Sequence, residues 1–218
     1  MENTKQLMAY ILNPKYLFVI VIKIILLLIL KKTLYINKKF ELPILTTYIE
    51  DYYLRKYPEL NEIYAYKRKQ LYKYFYNSGI RDGQSASPAF DVKYYLENND
   101  DLIILGNNYT LAYQHFMEHG KYEGRDLSPV FHLGYYISNN QDVVNIYGNN
   151  SDQIIDHFLR FGVKEGRPSS PNFKLEAYKA RNTDLRDVFK DNNIEYYYHY
   201  CIFGRFEGRQ ALFENNLK

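Results

Sequence analysis

The 218-residue sequence has no tryptophan and a single cysteine, Cys201. One cysteine excludes an intramolecular disulfide framework and a cysteine-built zinc site, and it fits either a reducing compartment or simple neglect of cysteine. A Gly-rich phosphate loop, an Asp-x-Asp pair for a metal-bound nucleotide sugar and a Gly-x-Ser-x-Gly nucleophile turn are all missing. An α/β catalytic domain also lacks room, because repeats occupy the chain beyond its N-terminal segment. The expectation is a protein that is not an enzyme and uses no cofactor or metal. What is abundant is aromatic: 25 tyrosines and 13 phenylalanines within a 46% hydrophobic composition. A chain of that composition has the material for a packed core, which excludes general disorder.

A net positive balance is also absent from the chain beyond one segment. The formal net charge is +3, yet residues 1–40 carry seven lysines (5, 15, 23, 31, 32, 38 and 39) against Glu2 alone. From Glu41 onward there are 21 basic and 24 acidic residues, so the remainder is mildly acidic. No basic footprint for a nucleic acid remains there, and no nucleic-acid partner is expected.

Residues 16–30 read Tyr-Leu-Phe-Val-Ile-Val-Ile-Lys-Ile-Ile-Leu-Leu-Leu-Ile-Leu, apolar around the whole circumference of a helix except at Lys23. The run falls short of the ~20 residues that span a hydrocarbon core, but Thr33 to Ile36 can extend it while Lys31 and Lys32 snorkel. No small-residue cleavage motif follows Leu30, which points to an uncleaved single-pass anchor, with an interfacial helix or a buried core segment as the alternatives. Lysines lie on both sides, and the larger number after the span leans the soluble part toward the cytoplasm. Asn108-Tyr109-Thr110 and Asn149-Asn150-Ser151 become glycosylation acceptors on the opposite orientation.

Beyond the anchor the chain repeats itself every 41 to 42 residues. Gly79-Ile-Arg-Asp-Gly-Gln, Gly120-Lys-Tyr-Glu-Gly-Arg, Gly162-Val-Lys-Glu-Gly-Arg and Gly204-Arg-Phe-Glu-Gly-Arg mark the period. Ser-Pro follows at 87–88, 128–129 and 170–171, then an aromatic at Phe90, Phe131 and Phe173, with Tyr48 ahead of the first copy. The resulting division is 1–40 anchor, 41–88 divergent first repeat, 89–129, 130–171 and 172–210 further repeats, and 211–218 tail. Each repeat predicts three short helical stretches and almost no strand. Asp91 is expected to cap a helix through Asn98, Asn99-Asp100 to cap the next turn, and Gly120, Gly162 and Gly204 to close the third helix in left-handed conformation. Ile154, Phe158 and Phe161, with Tyr196, Tyr200 and Phe203 one repeat later, form the expected stacking face. Such units share a core only with their neighbours, and the membrane-proximal segment and the tail are expected to cap the ends.

The pattern Phe90-Asp-x-x-Tyr-Tyr-Leu-x-x-Asn-x-Asp-Leu, a His-Phe or His-Tyr helix, then Gly-x-x-Glu-Gly-Arg and Ser-Pro resembles a repeat of bacterial and large-DNA-virus proteins. That repeat reads Phe-Asp-x-x-Tyr-Tyr-Leu-x-x-Asn-Pro-Asp-Val, then His-Tyr-Leu-x-x-Gly-x-x-Glu-Gly-Arg and Ser-Pro, and often stands beside glycosyltransferase domains or in cell-surface proteins. The resemblance covers 48–210 and implies a small helical accessory module. The chain departs from it at the Asn-Pro step, where proline survives only as Tyr57-Pro58, and in the first repeat, where Asp82-Gly83-Gln84 replaces Glu-Gly-Arg and Tyr74 replaces the histidine.

His115, His157 and His199 recur at steps of 42. Equivalent positions on packed helices lie ~8–10 Å or more apart, too far to share one ion, so these are expected to be structural, as are Gly120, Gly162 and Gly204. Arg125, Arg167 and Arg209 offer forks for a carboxylate, a phosphate or an acidic glycan, or else pair with their own Glu or with the Asp of a neighbouring repeat, such as Arg125 with Asp142. Tyr197, within Tyr196-Tyr197-Tyr198, is a candidate contact for a partner or a sugar. The fold expected is all-α, an N-terminal transmembrane helix followed by about four helical repeats. The function expected is a non-catalytic adaptor or structural component at a cellular, host or virion membrane that binds a protein partner. The alternative is an accessory or glycan-binding module of a membrane glycosyltransferase.

Overall fold

The computed structural model describes residues 47–213, within the compact body Ile44–Lys218. The run at 16–30, expected to be the anchor, and most of the tail lie outside the described residues. Among the described residues no helix is long and apolar enough to cross a membrane.

Helix dominates, in short segments. The first repeat holds α1 (Glu50–Lys56), α2 (Glu59–Tyr64) and α3 (Arg68–Tyr74), which runs on into a π turn, Phe75–Gly79. The second holds α4 (Val92–Glu97), a 3-10 turn at Asp100–Leu105 and α5 (Tyr109–Glu118). A short antiparallel pair, β1 (Asp126–Ser128) and β2 (Phe131–His132), then crosses into the third repeat. This small departure from the strand-free expectation has a local cause: Ser128-Pro129 keeps the backbone extended at the corner, so the flanking residues can pair. The third repeat continues with α6 (Leu133–Asn139), α7 (Gln141–Tyr147) and α8 (Ser151–His157), a π turn at Phe158–Gly162 and α9 (Val163–Glu165). The fourth has α10 (Leu175–Arg181), a 3-10 turn at Thr183–Leu185, α11 (Arg186–Phe189), α12 (Asn193–His199) and a π turn at Tyr200–Gly204.

Side-chain caps start several of these helices. Asp91 accepts from the amides of Lys93 and Tyr94 at 3.1 and 3.2 Å, satisfying donors that a helix leaves open. Asn108, Asn150 and Asn192 do the same for α5, α8 and α12. Asn99 acts differently from expectation. It offers no cap to the next turn, and its Nδ2 donates instead to the carbonyls of Tyr95 (2.7 Å) and Asp126 (3.1 Å), closing the helix before it. Asn140 and Asn182 repeat this, donating to Tyr136 and Pro168 and to Tyr178 and Gln210.

Each repeat also closes on itself. The amides of Ile49, Asp91, His132 and Lys174 donate to the carbonyls of Ala86, Leu127, Ser169 and Ala211 at 2.7 to 3.0 Å. The opening aromatic then meets the long helix of the same repeat: Phe90 stacks on Phe116 at 4.0 Å and Phe131 on Phe158 at 4.3 Å. Consecutive Ser-Pro corners are bonded through buried hydroxyls, Ser128 Oγ to the Pro88 carbonyl at 2.6 Å and Ser170 Oγ to that of Pro129 at 3.5 Å.

Two sequence expectations need correction. Gly120, Gly162 and Gly204 do not have positive φ; the later glycine of each motif does, at Gly124, Gly166 and Gly208. The earlier glycine is needed for space. A Cβ on Gly120, Gly162 or Gly204 would fall well inside contact distance of the hydroxyl of Tyr95, Tyr136 or Tyr178. The stacking face also ends earlier than its 3.6-residue period predicts. Ile154 and Phe158 are buried, but Phe161 is 48% exposed and Phe203 52%. A π turn returns to the same face after four to five residues, so Gly162 and Val163 turn inward and Phe161 outward.

The ends of the series meet. Tyr52 in the first repeat packs edge-on against Tyr198 in the fourth, ring centroids 5.0 Å apart. Arg55 Nη1 donates to both carboxylate oxygens of Glu195 at 2.9 and 2.7 Å. The first and last repeats therefore bury surface against each other, and end-capping by the flanking segments alone is not the arrangement found.

Candidate functional site

Three kinds of polar assembly recur or converge in this fold. The first is a tyrosine–histidine pair in each of the last three repeats. Tyr95, Tyr136 and Tyr178 bond through their hydroxyls to Nδ1 of His115, His157 and His199 at 2.9, 2.9 and 2.8 Å. The tyrosine comes from the first helix of the repeat and the histidine from the long helix, and the glycine described above leaves room for the hydroxyl. Burial pushes all three histidine pKa values below the ordinary value and all three tyrosine values up. These are the pKa directions of neutral groups that lock helices together. In the first repeat Tyr53 donates to Gln84 instead.

The second assembly holds the three candidate arginines. Arg125 reaches Asp101 through Nη1 and Nη2 at 2.7 and 2.8 Å, and Nη1 also touches Asn99 Oδ1 at 3.2 Å; its Nε donates to Glu123. Arg167 sits in the same bracket of Asp142, Glu165 and Asn140, and Arg209 in that of Asp184, Glu207 and Asn182. Every partner belongs to the arginine's own repeat, so Asp142 pairs with Arg167 and not with Arg125. The reason is the fold-back just described: closure of each repeat brings its Glu-Gly-Arg corner against its own Asn-x-Asp turn. Bonding to these carboxylates, Asp101 foremost for Arg125, raises the guanidinium pKa values.

The third assembly was not legible in the sequence. Asp91, buried, receives Lys56 Nζ at 3.3 Å from the first repeat and Arg205 Nη2 at 3.1 Å from the fourth, in addition to its two capped amides. Burial alone would raise its carboxyl pKa, but the Lys56 and Arg205 charges and the Tyr94 amide override it and hold the pKa below the usual carboxylate range. Cys201 lies buried in the same region, its thiol pushed up to about 12 by that burial, so it persists as a thiol and not as a nucleophilic thiolate. This is a junction of three repeats, and no spacing rule relates positions 56, 91 and 205.

Tyr197, expected at a contact surface, is 1% exposed. Its hydroxyl donates to the Arg167 carbonyl at 3.1 Å, and its ring lies 5.0 Å from Phe173, so it joins the third and fourth repeats. Among the described residues the exposed aromatics are elsewhere, at Tyr66, Tyr122, Phe161, Phe203, Phe206 and Phe213. One further set recurs: Ile63, Ile104, Ile146 and Val188 occupy equivalent places at the end of the second helical stretch, and all four face solvent. Among the described residues, no group of three or more His, Cys, Asp or Glu side chains is arranged to hold a metal ion. Set against known proteins, the chain matches no family, no curated protein and no solved structure.

Proposed function

We propose that this chain is a non-catalytic adaptor: a series of about four helical repeats that docks a protein partner and is tethered by a single-pass anchor at residues 16–30. The observation that carries the docking role is the row Ile63, Ile104, Ile146 and Val188. A β-branched apolar side chain left in water at the same place in four successive repeats is material for an interface. By contrast, the recurring histidines and arginines are taken up by ties within the fold. The alternative of an acidic-glycan module needs free arginine forks, whereas Arg125, Arg167 and Arg209 each already serve two carboxylates.

The test uses the full chain, tagged at its C-terminus, and the variant Ile104→Ser/Ile146→Ser/Val188→Ser. The expected result is a specific cross-linked partner that the variant loses at unchanged melting temperature, with the chain retained in carbonate-washed membranes. Equal capture by both chains would overturn the docking face; release by carbonate would overturn the anchor.

A further inference from the structure

One loop departs from the pattern that its counterparts in the second and third repeats share and that the fourth keeps only in part, with Lys190 at the glycine position and Asn192 as the cap. The second and third repeats turn from their second helical stretch into the long helix through Gly106-Asn107-Asn108 and Gly148-Asn149-Asn150. In both, glycine takes the positive φ and the second asparagine caps the helix. In the first repeat the same turn is Ala65-Tyr66-Lys67. Tyr66 has φ +62 and is 104% exposed, and Lys67 stands at the cap position with no side-chain bond to offer. Positive φ on an aromatic residue costs on the order of 1 kcal/mol or more, and an uncapped start costs about the same again. Lysine at a helix start also opposes the helix dipole. Among the described residues, Tyr66 makes no ring contact or side-chain hydrogen bond that would repay this, and Lys67, Lys69 and Lys73 are exposed without an ion-pair partner. Arg68, between them, pairs with Glu50 at 3.1 Å but is itself largely exposed.

The local charge runs against the rest of the body as well. Residues 44–88 carry seven basic and five acidic side chains, whereas residues 89–218 carry 14 basic and 18 acidic. A fully exposed tyrosine followed along the chain by exposed lysines that have no ion-pair partner among the described residues, on a body otherwise acidic, is complementary to an anionic lipid surface. Tyrosine settles at the headgroup level with its ring in the apolar boundary, and each nearby lysine adds roughly 1 kcal/mol of attraction to an acidic leaflet. We infer that the Tyr66 tip, with Lys67, Lys69 and Lys73, is a second membrane contact that seats the first repeat on anionic lipid headgroups. This rests on the anchored reading, which brings the body beside a bilayer, and it adds what faces that bilayer and which lipid charge it selects.

The chain has no tryptophan, so Tyr66→Trp gives the full-length protein a single reporter at the tip, and Val188→Trp gives one in the fourth repeat. Both would be reconstituted with vesicles of phosphatidylcholine alone or with one-third phosphatidylserine, with brominated acyl chains as quencher. The expected result is a blue shift and quenching at position 66 in the phosphatidylserine vesicles only. Both effects should be lost in high salt and in the Lys67→Glu/Lys69→Glu/Lys73→Glu background, while position 188 is unaffected. A water-like, unquenched spectrum at 66 in both vesicle types overturns the inference. So does a shift produced by a poly-glutamate peptide or a single-stranded RNA but not by vesicles. A carbonate wash of the same vesicles reads the anchor separately: a retained chain with an unquenched tip sinks only the second contact, and a released chain with a quenched tip sinks only the anchor. Circular dichroism of each variant, unchanged from wild type, shows that the substitutions leave the fold intact.

Discussion

Arg55 and Glu195 stand 140 residues apart in sequence and bond through one guanidinium nitrogen to both carboxylate oxygens, at 2.9 and 2.7 Å. Beneath them Tyr52 and Tyr198 are buried against each other, with Arg55 lying 5.5 Å over the Tyr198 ring. An open stack of repeats transmits damage only to nearest neighbours; this one joins its first repeat to its last. Tyr198→Ala, a core truncation expected to cost about 3 kcal/mol, should therefore speed amide exchange in Tyr52–Lys56 as well as in its own repeat. Exchange confined to the third and fourth repeats would show that the ends act independently. The exposed ion pair itself contributes little, about 0.2–1 kcal/mol in a double-mutant cycle.

Asp91 couples three repeats through buried charge. Asp91→Asn keeps the acceptor for the Lys93 and Tyr94 amides but leaves Lys56 and Arg205 facing a neutral group, a loss of roughly 3 kcal/mol measurable by urea unfolding. Adding Lys56→Met removes one stranded charge and should recover part of that loss. If the double variant is no more stable than Asp91→Asn, the cluster is not coupled as the geometry indicates.

Gly162 faces the Tyr136 hydroxyl and the Phe158 ring. Gly162→Ala is expected to destabilise by about 1–3 kcal/mol through overpacking. Tyr136→Phe alone should cost about 1 kcal/mol for the lost bond to His157. Combined, the two should cost less than their sum, because removing the hydroxyl makes room for the methyl; strict additivity in thermal melts would contradict the contact.

Lys190 carries φ +49 and ψ −125 where the second and third repeats have glycine. Its side chain is not needed for that turn, whose bond to Tyr196 uses the Lys190 carbonyl. Lys190→Gly should raise stability by about 1 kcal/mol through relief of backbone strain, read as a higher melting temperature. An unchanged or lower value would mean the turn relaxes without cost.

The histidine pairs set the pH dependence. Burial lowers the folded pKa of His115, His157 and His199 below the unfolded value near 6.5. The unfolded chain thus takes up these protons first as pH falls, and stability drops from about pH 6.5 downward until the folded histidines protonate too. Asp91, with its folded pKa depressed below that of a free carboxyl, adds a separate loss at more acidic pH. The triple variant His115→Gln/His157→Gln/His199→Gln should flatten the upper part of that profile while leaving the acid limb. A profile that stays unchanged near pH 6 would remove the histidines from the linkage.

The sequence determined whatever repeats. The 41–42-residue period, the Asp91 cap and the turn at Gly106 follow from capping and turn chemistry that acts over a few residues. So does the burial of Ile154 and Phe158, which the 3.6-residue pattern announces. The π turn after Phe158 did not, because nothing in the hydrophobic pattern signals an added residue, and it sent Phe161 outward. Nor did the reason for Gly162, since a motif shows that glycine is required but not whether the requirement is dihedral or steric. The partner of Arg125 depended on which way each repeat folds back. The meeting of Lys56, Asp91 and Arg205, and of Tyr52 with Tyr198, belongs to tertiary structure alone. Contacts between distant repeats are set by the rotation accumulated from one unit to the next, and local sequence rules are blind to that sum.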